Sequence, residues 1–489
     1  MRQLPAEQAV VDAGDGWTWG LGFPERPPAP AGRPATSYNQ AAHLAAARLA
    51  HAAGEPIAFA ICCAFELPGP VHLPVLEAAL LSLVRRHEVL RTTCRPTRWG
   101  VSLQVHPAQD VRLERRSHSV PLKSHAATRA HVDALLRQVD PVTGPLVVIG
   151  AVIRAHSATV HVVYDHLVAD VLSAPLTVAE LVTTYENLLR RRRPDTNPAP
   201  GFLDFAREER AYNHALRASD ERLAHWRSFT TPETGFYPDF PLGLGAEAGR
   251  QYPAVNHTHP LLPGPMTQRL EAACRAHGGS VLTGLLAAMA LSVRDEGGPD
   301  VYRAMMPLDR RRASPYARSV GWFVNAVPVE IPAPRTAGFA ALLAGARQGL
   351  EAGRGQAQVH HLRARQLLGG SDTSATAYRA VSFFSYLDFR HVPEAGHPSM
   401  RTAAVHVWSP ATNGSFFWFH RDHDGLHLNT LHVATPHAHR TINALVTTLQ
   451  RTLHAFTNQS RTSHQAKRTE PAPPPAPSEK RRNHVRHPP

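Results

Sequence analysis

Residues 161–173 read HVVYDHLVADVLS and carry the side chains best spaced to do chemistry. An apolar run, His161 to Tyr164, leads straight into His166-x-x-x-Asp170. A strand that delivers a histidine and then an aspartate into a loop holds one imidazole at a fixed point. Taken alone, the pair leaves three readings open. As metal ligands on one helical turn the two side chains would need a third ligand and a water site, and the residues before them read as strand. In a packed core they would be inert. In a cleft His166 would be a general base for an attacking hydroxyl or amine, typically worth about 10²–10⁴-fold in rate, with Asp170 fixing the local fold.

The elements that must hold this loop alternate between strand and helix. Residues 38–50 suit a helix and 56–66 a strand. Pro74 sits where a helix begins, and Leu76, Ala79, Leu80, Leu83 and Val84 recur at helical spacing up to Arg86. Strands are predicted at 100–105 and 146–153 around a helix at 126–139, and an amphipathic helix follows the histidine loop from Leu176 to Leu189. The stretch Asp195-Thr-Asn-Pro-Ala-Pro200 breaks this rhythm and is the predicted crossing between two lobes. Beyond it, Ser280 caps an apolar helix. Strands are predicted at 301–306, 324–331, 379–387, 402–409, 415–420 and 425–431, with Asp424-Gly425 as a hairpin turn, and a helix at 437–456 closes the fold.

A chain of 489 residues exceeds a single hydrophobic core. Four segments are predicted: a Pro-rich lead-in without periodicity (1–36), a first lobe carrying Asp-His-x-x-x-Asp (37–196), a second lobe (197–457), and a basic, Pro-rich tail (458–489) expected to be disordered.

The net charge of +13 would favour polyanions. Yet the densest run, Arg190–Arg193, follows an apolar helix with no recognition helix, zinc finger or stacking platform beside it, so it reads as a solvated face and nucleic acid is not an expected partner. Only Lys123, Lys467 and Lys480 are lysine among 52 basic residues, a bias that points to GC-rich bacterial coding rather than to chemistry. Cys62, Cys63, Cys94 and Cys274 form no Cys-x-x-Cys pair, and adjacent strand residues face opposite ways, so buried free thiols are expected. The histidines near the end (His420, His423, His427, His432, His437, His439) match no tight ligand spacing, and no metal is expected. The N-terminus lacks an apolar signal core, no run approaches the roughly 20 apolar residues of a membrane span, and a cytoplasmic location is the expectation.

Read in order, Ser37-Tyr38-Asn39-Gln40, Arg86-His87-Glu88-Val89-Leu90-Arg91-Thr92, Asp165-His166-Leu-Val-Ala-Asp170, Gly201-Phe202-Leu203-Asp204-Phe205-Ala206 and Val320-Gly321-Trp322-Phe323-Val324-Asn325 resemble the ordered motifs of condensation domains. These belong to the superfamily of nonribosomal peptide synthetase condensation domains and polyketide-associated acyltransferases. Phe384-Ser385-Tyr386-Leu387-Asp388-Phe389-Arg390 and Trp418-Phe-His-Arg421 are similar to segments of its freestanding actinobacterial members. The resemblance covers roughly residues 37–457.

The resemblance implies an α+β fold of two lobes, each similar to chloramphenicol acetyltransferase, set in a V with a central tunnel. It implies that His166 is catalytic, deprotonating or orienting the nucleophile that attacks a thioester carbonyl. Asp170 would turn away and pair with an arginine of the second lobe. Of Arg310, Arg311 and Arg312, Arg311 has the family's spacing, ten residues before Gly321. Arg86, His87, Glu88 and Arg91 would form a structural charged network. Gly321, Trp322 and Asn325 would form the crossover between lobes and border the tunnel or substrate, as would Ser385 and Tyr386, where a hydroxyl could help hold an oxyanion.

Two residues depart from the family's His-His-x-x-x-Asp-Gly: Asp165 replaces the first histidine and Val171 the glycine. Beside the imidazole, Asp165 would favour its protonated form. A positive φ at position 171 would suit a β-branched residue poorly. The expected activity is acyl transfer to a hydroxyl or amine of a small metabolite, lipid or sugar, in secondary-metabolite or complex-lipid biosynthesis. No bound cofactor is expected; the co-substrate would be an acyl-CoA or a phosphopantetheine thioester, any carrier protein acting in trans. The alternatives are an amide-forming condensation enzyme and a degenerate fold that recruits a partner.

Overall fold

The computed structural model describes residues 1–24, 36–54, 59–97, 100–195, 197–230, 235–247, 250–311, 315–369 and 381–469. Two seven-stranded sheets organise the chain. The first runs Arg2–Gln3, Ala404–Trp408, Ala60–Pro68, Ser157–Asp165, Val147–Ile153, Gly14–Gly22, Arg112–Leu122. The second runs Val324–Pro332, Val301–Asp309, Phe383–Asp388, Ser415–Arg421, Gly425–Val433, Tyr252–Pro263, Ala411–Thr412. Helices cover both sheets, giving the α+β class.

Strand Ser157–Asp165 is buried on both faces. Val160, Val162 and Tyr164 enter a core shared with helices Leu73–Arg86 and Ser173–Leu189. Val163 enters the opposite layer with Cys62, Val148 and helix His125–Leu136. This alternation of side chains also parts Cys62 from Cys63 into different cores, both as free thiols. Burial pushes the Cys62 thiol up to about 12. The second sheet packs on helices Gly264–Ala276, Val281–Asp295, Phe339–Gly355 and Pro436–Thr469. Ser280 caps the second of these by accepting from the Thr283 amide. Val281–Asp295 is apolar nearly all round and correspondingly buried. No single helix among the described residues is long and apolar enough to cross a membrane.

Several elements differ from expectation. The lead-in is not structureless: Gly14–Gly22 is a nine-residue strand between Val147–Ile153 and Arg112–Leu122. Its glycines hid it. Trp17, Trp19 and Leu21 alternate as strand residues should, but Gly14, Gly16, Gly20 and Gly22 fill the other face. A Cβ at Gly16 would meet Leu122 at 2.9 Å, so neighbouring side chains cover the glycine face. Ala404–Trp408, predicted within the second lobe, instead joins the first sheet beside Ala60–Pro68. Its sequence specifies a buried strand but not a partner. The last helix continues to Thr469, past the expected onset of disorder at 458. Residues 25–35 of the lead-in, the tail beyond Thr469 and Arg312 lie outside the described residues.

Candidate active site

His166 leaves the end of strand Ser157–Asp165, and its amide donates to the Phe59 carbonyl (3.1 Å). The imidazole stacks on Trp322 at 3.8 Å and on Phe59 at 5.0 Å between centroids, which fixes the ring plane. Nδ1 lies 2.7 Å from the Ala169 carbonyl oxygen. A carbonyl only accepts, so Nδ1 carries the proton and Nε2 keeps its lone pair. Burial, reinforced by the charge of His43, lowers the His166 pKa to about 4; the Ala169 carbonyl and Asp170 oppose this. The ring is therefore neutral near pH 7. It borders a cavity of about 1960 Å³ walled by segments of both halves of the chain.

Asp165 points the other way. Its side chain is fully buried, Oδ1 accepting from the Leu167 amide (2.8 Å) and from His43 Nε2 (3.0 Å). Strand alternation carries the carboxylate to the face opposite His166, so it pairs with His43, which in turn meets Trp322 edge-on at 5.7 Å. Val171 is not among the described residues with positive φ. The expected backbone conflict is absent, and its side chain borders the cavity.

Asp170 and Arg311 form a buried bidentate pair, Nη1–Oδ2 2.7 Å and Nη2–Oδ1 2.9 Å, each side chain 3% exposed. Asp170 also accepts from the amides of Ser173 (3.0 Å) and Phe323 (3.0 Å). Arg311 donates from Nε to the Ser319 carbonyl (2.8 Å) and from Nη2 to the Gly321 carbonyl (2.7 Å). Two charges taken out of water persist only with such full partnering. Arg310 instead donates to the Ala357 carbonyl and the Gln358 side chain.

Gly321 adopts φ +155°, and a Cβ there would lie 2.6 Å from Phe202. It is absent from the cavity wall. Asn325 is absent too: its amide donates to the carbonyls of Ala357 (3.0 Å) and Val359 (2.9 Å), and its Oδ1 accepts from the His361 amide (3.2 Å). Of the five residues expected at tunnel or substrate, Trp322, Ser385 and Tyr386 border the cavity, whereas Gly321 and Asn325 hold the crossover from behind. Their polar groups are consumed by backbone. His87 accepts from the Val320 amide (3.3 Å) and donates to Glu180 (3.0 Å), Glu88 accepts from the Leu203 amide (2.8 Å), and Arg86 pairs with Asp195 (2.6 Å). This network ties the end of helix Leu73–Arg86 to both interlobe connections.

Sequence reasoning missed His43, Phe59 and Ser173. Ser173 Oγ lies within 3.0–3.3 Å of Asp170, Arg311 and Gly321 atoms. Asp-x-x-Ser at the start of a helix was its available signal. His43 stands one helical turn after Asn39 on the buried face of Tyr38–Ala52, a polar residue where alanine was the neighbouring norm.

The cavity wall varies along its length, and one stretch carries the ion pairs Arg390–Asp388 and Arg421–Glu271. Beyond Phe59 its wall is apolar: Val171, Val407, Phe416, Trp418 and Leu431. Beyond Trp322 it is polar, with Asn39, Glu208, Glu209, Tyr212, Gln358 and His361.

Residues 49–360 match the protein family described as Condensation domain. "Acyltransferase PapA3" of Mycobacterium tuberculosis is 24% identical over 300 residues, 60% of this chain and 62% of that protein. "2'-acyl-2-O-sulfo-trehalose (hydroxy)phthioceranyltransferase PapA1" of Mycobacterium bovis is 26% identical over 299 residues, 60% of this chain and 57% of that protein. The matched segment thus spans less than two thirds of these relatives. Among solved structures, "PapA2 acyl transferase" superposes with a TM-score of 0.81 at 20% identity, over 94% of this chain and 100% of the other. The first condensation domain of the calcium-dependent antibiotic synthetase gives 0.69 at 16%, over 87% and 96%.

Proposed function

This chain belongs to the condensation-domain family, matched over more than half its length, and from that premise we propose that it transfers an acyl group from a thioester to a hydroxyl of a sugar or lipid acceptor. The observation that carries this is the neutral imidazole of His166, its Nε2 unprotonated, at a large cavity between an apolar and a polar wall.

An acyl chain would lie along the Phe59 side, where burial is favourable at about 25 cal/mol per Å². The cavity would then serve as the tunnel, donor and acceptor meeting at His166. Nε2 takes the hydroxyl proton as the oxygen attacks the thioester carbonyl carbon. The tetrahedral intermediate collapses with cleavage of the C–S bond, and the imidazolium returns its proton to the departing thiolate. With the His166 pKa near 4 and a thiol near about 8.5, that return is downhill. Asp170 and Arg311 act as positioning residues by fixing the loop and the Trp322 crossover. Ser385, which borders the cavity, is the candidate donor to the oxyanion.

The test incubates the whole protein with octanoyl-CoA or palmitoyl-CoA and a disaccharide, following free thiol and ester by mass spectrometry. One ester per thiol released is expected. Preferential amide formation with amine acceptors would replace this reading by the amide-forming one. Absence of any transfer would leave partner recruitment.

A further inference from the structure

Helix Phe202–His214 lays one face along the cavity, with Phe205, Glu208, Glu209, Tyr212 and Asn213 at helical spacing. Glu209 is the unusual member. Its side chain is 6% exposed, yet it borders the cavity. Oε2 accepts from the Tyr38 amide (3.0 Å), while Oε1 has no hydrogen-bond partner among the described residues. The nearest donor, His360 Nε2, stops at 3.6 Å.

His360 is itself 1% exposed. Its Nδ1 accepts from the Leu362 amide (3.3 Å), so Nε2 must carry the ring proton. That N–H is buried without a partner and faces Glu209. The His360 N–H left this way costs free energy, whereas Glu209 Oε1 is not sealed off and opens on the cavity. The incomplete group that reaches the cavity is an acceptor, so the missing partner is a donor.

Tyr38 opens helix Tyr38–Ala52, and His43 stands near its middle against Trp322. At about 1.5 Å rise per residue, Tyr38 and His43 stand roughly 7–8 Å apart along that axis, so Glu209 and Trp322 meet the same helix about that far apart along its length.

The charges nearest Glu209 are already partnered. Glu208 accepts from Tyr316 (2.9 Å). Arg210 donates to the carbonyls of Thr36 and Ser37, and Arg310 to Ala357 and Gln358. His361, facing the same space, pairs with Tyr237 (2.8 Å) and is held neutral by burial, its pKa near 3. Arg354 is exposed at the rim. Two carboxylates thus stand among two arginines already committed to backbone or amide oxygens, with Arg354 a third at the solvent-facing rim.

We propose that this polar wall is the acceptor subsite, that it takes an uncharged polyol, and that Glu209 Oε1 accepts a hydrogen bond from one of its hydroxyls. The word acceptor rests on the acyl-transfer reading; the polyol site does not. Anionic analogues, sulfated or phosphorylated, meet Glu209 and Glu208 and are disfavoured.

Burial raises the Glu209 pKa to about 7, the Tyr38 amide and the two arginines opposing it. Binding that uses the carboxylate therefore strengthens as pH rises through that value, while binding of an anion weakens.

The test is calorimetric or NMR titration of the whole protein, without acyl donor, using trehalose and trehalose 2-sulfate at about pH 6 and pH 8.5. Trehalose affinity should rise about tenfold from the lower to the higher pH in wild type, as the ionised fraction does. The sulfate should bind more weakly at the higher pH. Glu209→Gln should abolish the pH dependence, and Glu209→Leu should weaken trehalose at least tenfold at pH 8.5, with circular dichroism confirming the fold. Failure to bind trehalose, indifference to both substitutions, or tighter binding of the sulfate would overturn the proposal. Glucosamine binding tenfold tighter than trehalose would overturn the uncharged class. Since no thioester is present, these results stand or fall apart from the acyl-transfer reading.

Discussion

His166 owes its chemistry to three neighbours of different kinds. The Ala169 carbonyl sets the tautomer, Trp322 and Phe59 set the ring plane, and burial keeps the ring unprotonated. An ordinary histidine would lose half its base form at about pH 6.5; this one does not until pH falls to about 4. With acceptor saturating, kcat should therefore stay flat between about pH 5.5 and pH 8. A limb centred near 6.5 in a steady-state pH profile would show that the active base is another group or that His166 is more solvated. Asp170 lies one step further out. Removing it leaves the buried Arg311 with Asp309 alone (3.2 Å) as counter-charge, and Asp170→Ala should cost about 3 kcal/mol in urea denaturation. Much of this was legible in sequence, because Asp-His-x-x-x-Asp and Arg311 are near in number to recognisable motifs. The pairing of Asp165 with His43 was not, since no motif marks His43, which stands 122 positions away on a helix otherwise rich in alanine.

At the scale of elements, the crossover at Val320–Asn325 decides whether the site assembles. Gly321 packs its backbone against Phe202, and its carbonyl accepts from Arg311 and Ser173. A Cβ at that point meets Phe202 at 2.6 Å with φ at +155°. Gly321→Ala should destabilise by about 1–3 kcal/mol and lower acyl transfer more than the lost stability explains, because Trp322 moves with it. Thermal denaturation alongside kcat checks both halves; an alanine variant of unchanged stability and rate would refute the packing argument. Most helices were readable from their 3.6-residue period. Gly14–Gly22 was not, because glycines covered by a neighbouring strand erase the alternation, and Asn325 was misplaced because a polar residue near a glycine motif is equally suited to substrate or to backbone carbonyls.

Across the whole molecule, the sheets share the chain in a way sequence order conceals. Ala404–Trp408 returns to the first sheet, and Arg2–Gln3 pairs with it, so a strand from the start of the chain and one from beyond residue 400 share one edge. Partner choice between strands depends on contacts hundreds of residues apart, and no local pattern encodes it. A second global property is the number of neutral buried histidines. Burial lowers His161, His361 and His420 to about 3, and His166 and His259 to about 4. A histidine near 6.5 when unfolded then binds more protons than the native state does as pH falls. Each contributes nothing to the pH dependence well above 6.5 and up to about 2 kcal/mol of destabilisation by pH 5. The urea midpoint should fall steadily from pH 7 to pH 5 with proton uptake on unfolding. A midpoint independent of pH in that window would mean these rings are hydrated or already charged.

The central claim is that one imidazole moves the acceptor's proton. The direct measurement is single-turnover acyl transfer from octanoyl-CoA by wild type and His166→Ala, with thermal denaturation confirming that the variant is folded. The expected rate is lower by about 10²–10⁴-fold at an unchanged melting temperature; a folded alanine variant turning over at the wild-type rate would rule His166 out as the base.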